Sequence, residues 1–385
     1  VRDFLAHAGP GLWQARLEEL QLRTGRKSLA ARAARQRHAL ELALANLCKE
    51  AASRQAGPSD LAILDLACRT ARLANSLKPP ARERLHAKLA TALSGAANLV
   101  PLFHLVRVAE MQRARGFEVR FDGLAEDAPY DLLITRDGVS AEVACETVSA
   151  EAGRQVHRSG WCALVDRVNP DLHTWLSAHP GRYVLKMTLP EGMREPAQVA
   201  ELHRRISALL SDRKRQDSDA AAILKLDPLL MAGAALAGQG LPASLRAQFG
   251  PEAHLAMAGD PSGGSVIVLA ARAGQEDDIS AAVCRRLTTS ARDRLTGTRP
   301  GILAVFLDDL DRTEWQDLRR TLALEGTVRR FLTGPENRRV VAVSCTSRAE
   351  MLTSEGVEGG ELRFRNPGHP DAKSCALMPA IASVA

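Results

Sequence analysis

Between residue 11 and about residue 95, apolar positions recur every three or four residues. Ile63, Leu66, Thr70, Leu73 and Leu77 keep the spacing of one helical face. Ser59 or Asp60 is placed to cap that helix, and Pro79-Pro80 to end it. The Ala/Leu/Arg-rich stretch 32–49 has few breakers and suits another long helix. The pattern thus predicts a helical bundle over residues 1–95. From about Asn98 it changes. Residues 99–115 read as a helix, and three short strands follow. The first spans 117–121, the second carries Asp131 in the run PYDLLI, and the third carries Glu142 and Glu146 in VSAEVACE. Pro129 is tolerable at the start of a strand, and Asp137-Gly138 is a hairpin signal. Further strands are expected at 182–189, 221–226, 264–272, 301–307, 340–345 and 362–364. Helices are expected at 195–210, 279–295 and 313–322, and turns at 238–240 and 260–264. Strands mixed with helices in this way predict an α/β or α+β domain.

A length of 385 residues allows two domains, or one large domain with insertions. No apolar run reaches the ~18–20 residues of a membrane span, and the first residues lack a secretory pattern. Seven cysteines without a C-x-x-C pair predict reduced thiols and a cytoplasmic protein. Zinc-site spacing is absent too. Charge changes the picture more. Residues 1–100 hold 16 Lys/Arg against 8 Asp/Glu, whereas the remainder holds 35 against 37, so the excess of +6 lies in the first quarter. Arg23, Arg26, Lys27, Arg32, Arg35 and Arg37 form a run with no acid between Glu19 and Glu41. Such a run is either a phosphate-neutralising stripe or a solvated helix face.

The candidate chemistry lies in the three strands. Period-two alternation puts Glu142, Ala144 and Glu146 on one face. Asp131, on the strand before, can converge with them on one divalent cation, as oxygen ligands suited to Mg²⁺ or Mn²⁺. Glu110, in the preceding helix, is a candidate fourth carboxylate. A solvated sheet face is the competing reading. Cys145 points to the opposite face and reads as a structural thiol. Arg154, His157, Arg158, Trp161, His173 and Trp175 follow closely. They offer a base, a ligand or a phosphate clamp, or simply an amphipathic surface. Asp308, Asp309 and Asp311 end a strand, but no G-x-x-x-x-G-K-[ST] loop precedes them, so they read as a solvated loop.

Helix, three strands, helix, strand is the core order of the PD-(D/E)xK, or restriction-endonuclease-like, nuclease superfamily. This chain resembles it over residues 96–150 and 277–345. Pro129-Tyr130-Asp131 resembles the P-D element with one residue inserted, and Glu142-Val143-Ala144 resembles (D/E)-x-K with alanine for lysine. The resemblance implies a mixed α/β, restriction-endonuclease-like core over 96–385 with a large insertion at 150–275, preceded by the basic helical region 1–95. It implies Asp131 and Glu142 as catalytic metal ligands, assisted by Glu146 and Glu110, with Mg²⁺ or Mn²⁺ as cofactor. DNA would be gripped by the basic N-terminal helices. In active members the lysine helps orient the attacking water. Ala144 cannot do this, so Lys186 or Arg154 would stand in for it, or the metal alone would activate the water. Two functions follow from the resemblance: a metal-dependent nuclease cleaving DNA phosphodiester bonds, or a catalytically inactive protein of the same fold that binds nucleic acid or a protein partner. A helical interaction protein with an unrelated α/β domain is a third. It would be favoured if the strands bearing Asp131 and Glu142 were not neighbours.

Overall fold

A computed structural model describes residues 1–49, 57–229, 245, 248–250, 253–260, 264–352 and 360–384. The turn expected at 238–240, and the 261–263 part of the next, lie outside these. The chain begins with helices α1 (Arg2–Ala8), α2 (Pro10–Thr24), α3 (Leu29–Arg37), α4 (Ala39–Lys49), α5 (Pro58–Ser76) and α6 (Pro79–Ala92). Then come α7 (Val100–Ala114), β1 (Glu118–Arg120), α8 (Asp122–Ala125), β2 (Leu132–Arg136) and β3 (Val139–Ser149). The middle holds α9 (Arg158–Ala178), β4 (Arg182–Leu189), α10 (Pro196–Ser211), β5 (Gln216–Ser218), β6 (Ile223–Pro228), β7 (His254–Asp260) and β8 (Ser265–Ala273). The last part holds α11 (Ile279–Asp293), β9 (Gly301–Asp308), α12 (Arg312–Arg320), α13 (Ala323–Thr333), β10 (Val340–Ser347), α14 (Arg348–Met351), β11 (Leu362–Arg365) and α15 (Met378–Ile381). The protein is therefore of the mixed α/β class, with a six-stranded and a five-stranded sheet among the described residues.

The helix at 58–76 is capped by Gly57, two or three residues before the expected Ser59 or Asp60. Pro58 takes the first helical position, where its missing N–H is harmless. Asp60 sits inside the first turn, and its carboxylate accepts from Gly57 N at 3.1 Å. Pro79 opens α6 in the same way.

The chain divides into two compact units. The first comprises Val1–Arg23, Arg35–Ala152 and Ile279–Ala385; the second comprises Thr24–Ala34 and Gly153–Asp278. Residues 24–34, expected in the N-terminal bundle, group with the second unit. There Asp166 accepts from Leu29 N and Ala30 N, both at 2.9 Å, satisfying donors at the start of a helix. The second unit's sheet runs β5-β6-β4-β8-β7, and β4 and β8 are its parallel pair. Leu164, Val168 and Leu172 of α9 join Leu202 and Ile206 of α10 and Leu269 of β8 in its main core.

In the first unit the sheet order is β1-β2-β3-β9-β10-β11. The β1–β2 and β2–β3 pairs are antiparallel, while β3–β9 and β9–β10 are parallel. Asp137 (φ 50) and Gly138 (φ 77) make the tight turn joining β2 to β3, and their positive φ values match the strand twist. All eight residues of β9 and of β10 are buried, as befits parallel strands covered on both faces. On one face, Phe103 and Val106 of α7 pack with Leu132, Ile134, Ala141, Val143, Ile302 and Ala304. On the other, Val283, Leu287 and Ala291 of α11 pack with Ala144, Val148, Leu303 and Val305.

Candidate functional site

The β2–β3 register sets the geometry. Leu133 faces Glu142 and Leu132 faces Val143, and Asp131 N donates to Val143 O at 3.0 Å. Asp131 therefore lies across from Ala144, and Asp131, Glu142, Ala144 and Glu146 share the sheet face covered by α11. The strands bearing Asp131 and Glu142 are neighbours. This face is not a solvated one: Glu142 is 0% exposed, Glu146 2% and Asp131 7%. Ala144 is fully buried among Val283, Leu287 and Leu303. Two glycines admit close packing beside the acids. A Cβ on Gly123 would meet Tyr130 O at 2.7 Å, beside Asp131, and one on Gly301 would clash with the Leu295 side chain, beside Glu142.

Buried carboxylates need partners, and arginines supply most of them. Arg294, just past the end of α11, donates Nη2 to Asp131 Oδ2 at 2.8 Å, Nη1 to Glu146 Oε1 at 3.0 Å and Nε to Pro129 O at 2.5 Å. Arg286 donates Nε to Glu146 Oε2 at 2.8 Å. Asp131 Oδ2 also accepts from Cys145 N at 2.8 Å. Glu142 is held differently. Thr296 donates its N–H to Oε2 at 2.8 Å and its hydroxyl to Oε1 at 2.5 Å, and Arg299 Nη1 stands 3.7 Å from Oε1. Burial raises the Asp131 carboxyl above its usual range, while Arg294 and the Cys145 N–H pull it back down.

Of the other expected members, one faces the opposite side of the sheet and two belong to the second unit. Glu110 is on α7, on the opposite side of the sheet, where Arg69 and Arg113 bind its two oxygens. A carboxylate facing a different helix cannot join the Asp131 group. Lys186 belongs to β4 of the second unit, and its ammonium pairs with Asp227 at 2.9 Å. Arg154 is also in the second unit and is 2% exposed. The cation beside the acids is Arg294, assisted by Arg286, and neither was singled out in the sequence. Their only signal was an arginine-rich stretch, RRLTTSARDRLTGTR, between an amphipathic helix and a buried strand.

Trp161 is buried, and Trp175 stacks on His179 with ring centroids 4.7 Å apart, so the downstream aromatic cluster packs α9. Cys145 packs against the α7-side core, and burial raises its thiol well above the usual value. Asp308 and Asp309 do not lie in a solvated loop. Asp308 is 4% exposed and accepts from Arg348 Nη2 at 2.8 Å and Asn98 Nδ2 at 2.9 Å. Asp309 accepts from Ser149 Oγ at 2.6 Å and Arg37 Nη1 at 2.7 Å. Asp311 caps α12 through Glu314 N at 2.9 Å. These contacts tie the ends of β3, β9 and β10 together. They also commit Arg37 of the basic run, while Arg23 pairs with Glu19 at 2.7 Å.

Among the described residues, no group of three or more His, Cys, Asp or Glu side chains is arranged to hold a metal ion. The oxygens of Glu142 and Glu146 are engaged by hydroxyl, amide and guanidinium donors, and Arg294 lies between Asp131 and Glu146. As arranged, these residues do not fit Mg²⁺ or Mn²⁺. Comparison with known proteins gave no matching family model, no similar curated protein and no similar solved structure. No described helix is long and apolar enough to cross a membrane.

Proposed function

We propose that this chain is a divergent restriction-endonuclease-like protein that binds nucleic acid without metal-dependent cleavage. The fold part of the reading rests on the order α7, β1, β2, β3, α11, β9 and on the sheet order β1-β2-β3-β9, with the second unit inserted between β3 and α11. The loss of cleavage rests on one observation: the Arg294 guanidinium bridges Asp131 and Glu146 and takes up carboxylate oxygens that a metal would need. Ala144 points the same way. A lysine there would put an ammonium among Val283 and Leu287, beneath α11 rather than beside a substrate.

The test uses supercoiled plasmid with Mg²⁺ or Mn²⁺, comparing the wild type with Asp131→Ala and Glu142→Ala. We expect no nicking by any of the three, together with salt-dependent binding of duplex DNA by the wild type. One observation favours a second reading. Arg294 Nη2 is a cation within 2.8 Å of Asp131, and it is a candidate for the missing lysine in a divergent metal-dependent nuclease. Nicking by the wild type that both variants lose would establish that reading. Absence of both nicking and DNA binding would remove nucleic acid from the proposal.

A further inference from the structure

Nucleic acid meets a protein first through its phosphates, and the N-terminal basic run is partly spent on internal pairs. A different set of cations in the first unit is better prepared. Arg286, Arg294 and Arg299 have side chains 48%, 31% and 45% exposed, while the carboxylates that hold them are 2%, 8%, 2% and 0% exposed for Glu146, Asp131, Glu146 again and Glu142. The acids lie inside and the guanidinium groups outside. An anion approaching Asp131, Glu142 or Glu146 from solvent therefore meets guanidinium N–H donors before it meets these carboxylates. The local charges cancel, so the attraction is short-range and directional rather than a diffuse field.

Anchoring also prepares the donors. Arg294 uses three of its N–H groups on Pro129, Glu146 and Asp131. A guanidinium carries five, which leaves two for a ligand. Arg286 directs Nε and Nη2 to Glu146. Side chains already fixed in this way lose less rotamer freedom when a ligand arrives.

Resting on the nucleic-acid reading above, we infer that Arg286, Arg294 and Arg299 form a phosphodiester-binding surface, anchored on the buried Asp131, Glu142 and Glu146. The surface positions a sugar–phosphate backbone and reads no base.

Fluorescence anisotropy on the full chain with a labelled DNA duplex, across a salt series, tests this. Arg286→Gln and Arg299→Gln, singly and together, are compared with Lys27→Gln/Arg32→Gln in the basic run. Thermal melting of each variant checks folding. Arg294 is left intact, because its loss would expose two buried acids. The expected result is a salt slope lower by about 0.9 for each phosphate contact removed at Arg286 and Arg299, with little change for the Lys27/Arg32 variant. Wild-type binding whose affinity and slope are unchanged in Arg286→Gln/Arg299→Gln overturns the inference and leaves the nucleic-acid reading standing. Failure of the wild type to bind DNA overturns both.

Discussion

Replacing Arg294 by methionine tests whether the carboxylate cluster is a charge-balanced structural element. The change keeps the aliphatic stem and removes the cation from Asp131 and Glu146, whose side chains are 8% and 2% exposed. Removing one partner of a buried ion pair costs roughly 3–5 kcal/mol. Two facts reduce that figure here: the Arg294 side chain is 31% exposed, and Glu146 keeps Arg286. A loss of about 2–3 kcal/mol at pH 7 is therefore expected. Urea unfolding followed by circular dichroism measures it, with Asp131→Asn and the double variant completing a cycle. The double variant should recover part of the loss, because a neutral amide needs no counterion, and the coupling should be about 1–2 kcal/mol. The dependence on pH has a definite sign. Burial raises the folded-state value of Asp131 above 3.8, so the native state holds its proton more tightly than the unfolded chain does. The associated stability is present at low pH and is lost as pH rises through the folded value. Without Arg294 that value rises further. The deficit of Arg294→Met should therefore shrink as pH falls from neutrality toward the carboxylate range. A deficit below about 0.5 kcal/mol at pH 7, the scale of ordinary surface substitutions, or one equal at pH 7 and pH 5, would refute the reasoning.

The site and its surroundings yield further outcomes. Ala144→Lys should lose about 3 kcal/mol or more, from overpacking plus an ammonium buried under α11, and should gain no nicking activity; a variant with wild-type urea midpoint would show that the pocket is open. His104 is fully buried, donates to Ala304 O at 2.9 Å, and has its value pushed down to about 4, chiefly by burial. The unfolded chain binds its proton more readily, so stability should fall as pH drops from about 6.5 toward 4, by at most about 3 kcal/mol. His104→Asn should flatten that dependence in urea titrations between pH 4 and 7, and an identical slope in both proteins would count against the assignment.

Local signals carried much of the fold into the sequence. The Asp137-Gly138 turn fixed the β2–β3 hairpin, and alternation then placed Glu142, Ala144 and Glu146 together, because both depend on neighbours a few residues apart. Most of the buried strands at 301–308 and 340–347 was legible, as the expected strands 301–307 and 340–345 with the runs GILAVFL and VVAVSC. Helix α9 was largely hidden, since Pro170 interrupts a span that stays helical around an exposed proline. Strand β7 was hidden too, its run HLAMAGD lacking β-branched residues.

What the sequence could not contain was the identity of the partners. It determined which acids face one way; it did not determine that α11 would cover that face, bury Ala144 in an apolar core and bring Arg294 to Asp131 across 163 residues of chain. Nor did it show that Lys186 and Arg154 would belong to another compact unit, or that residues 24–34 would join it. Strand faces and turns are set by backbone geometry over short spans. Ion pairing of buried side chains is set by which surfaces the whole chain brings together, and only the tertiary structure decides that.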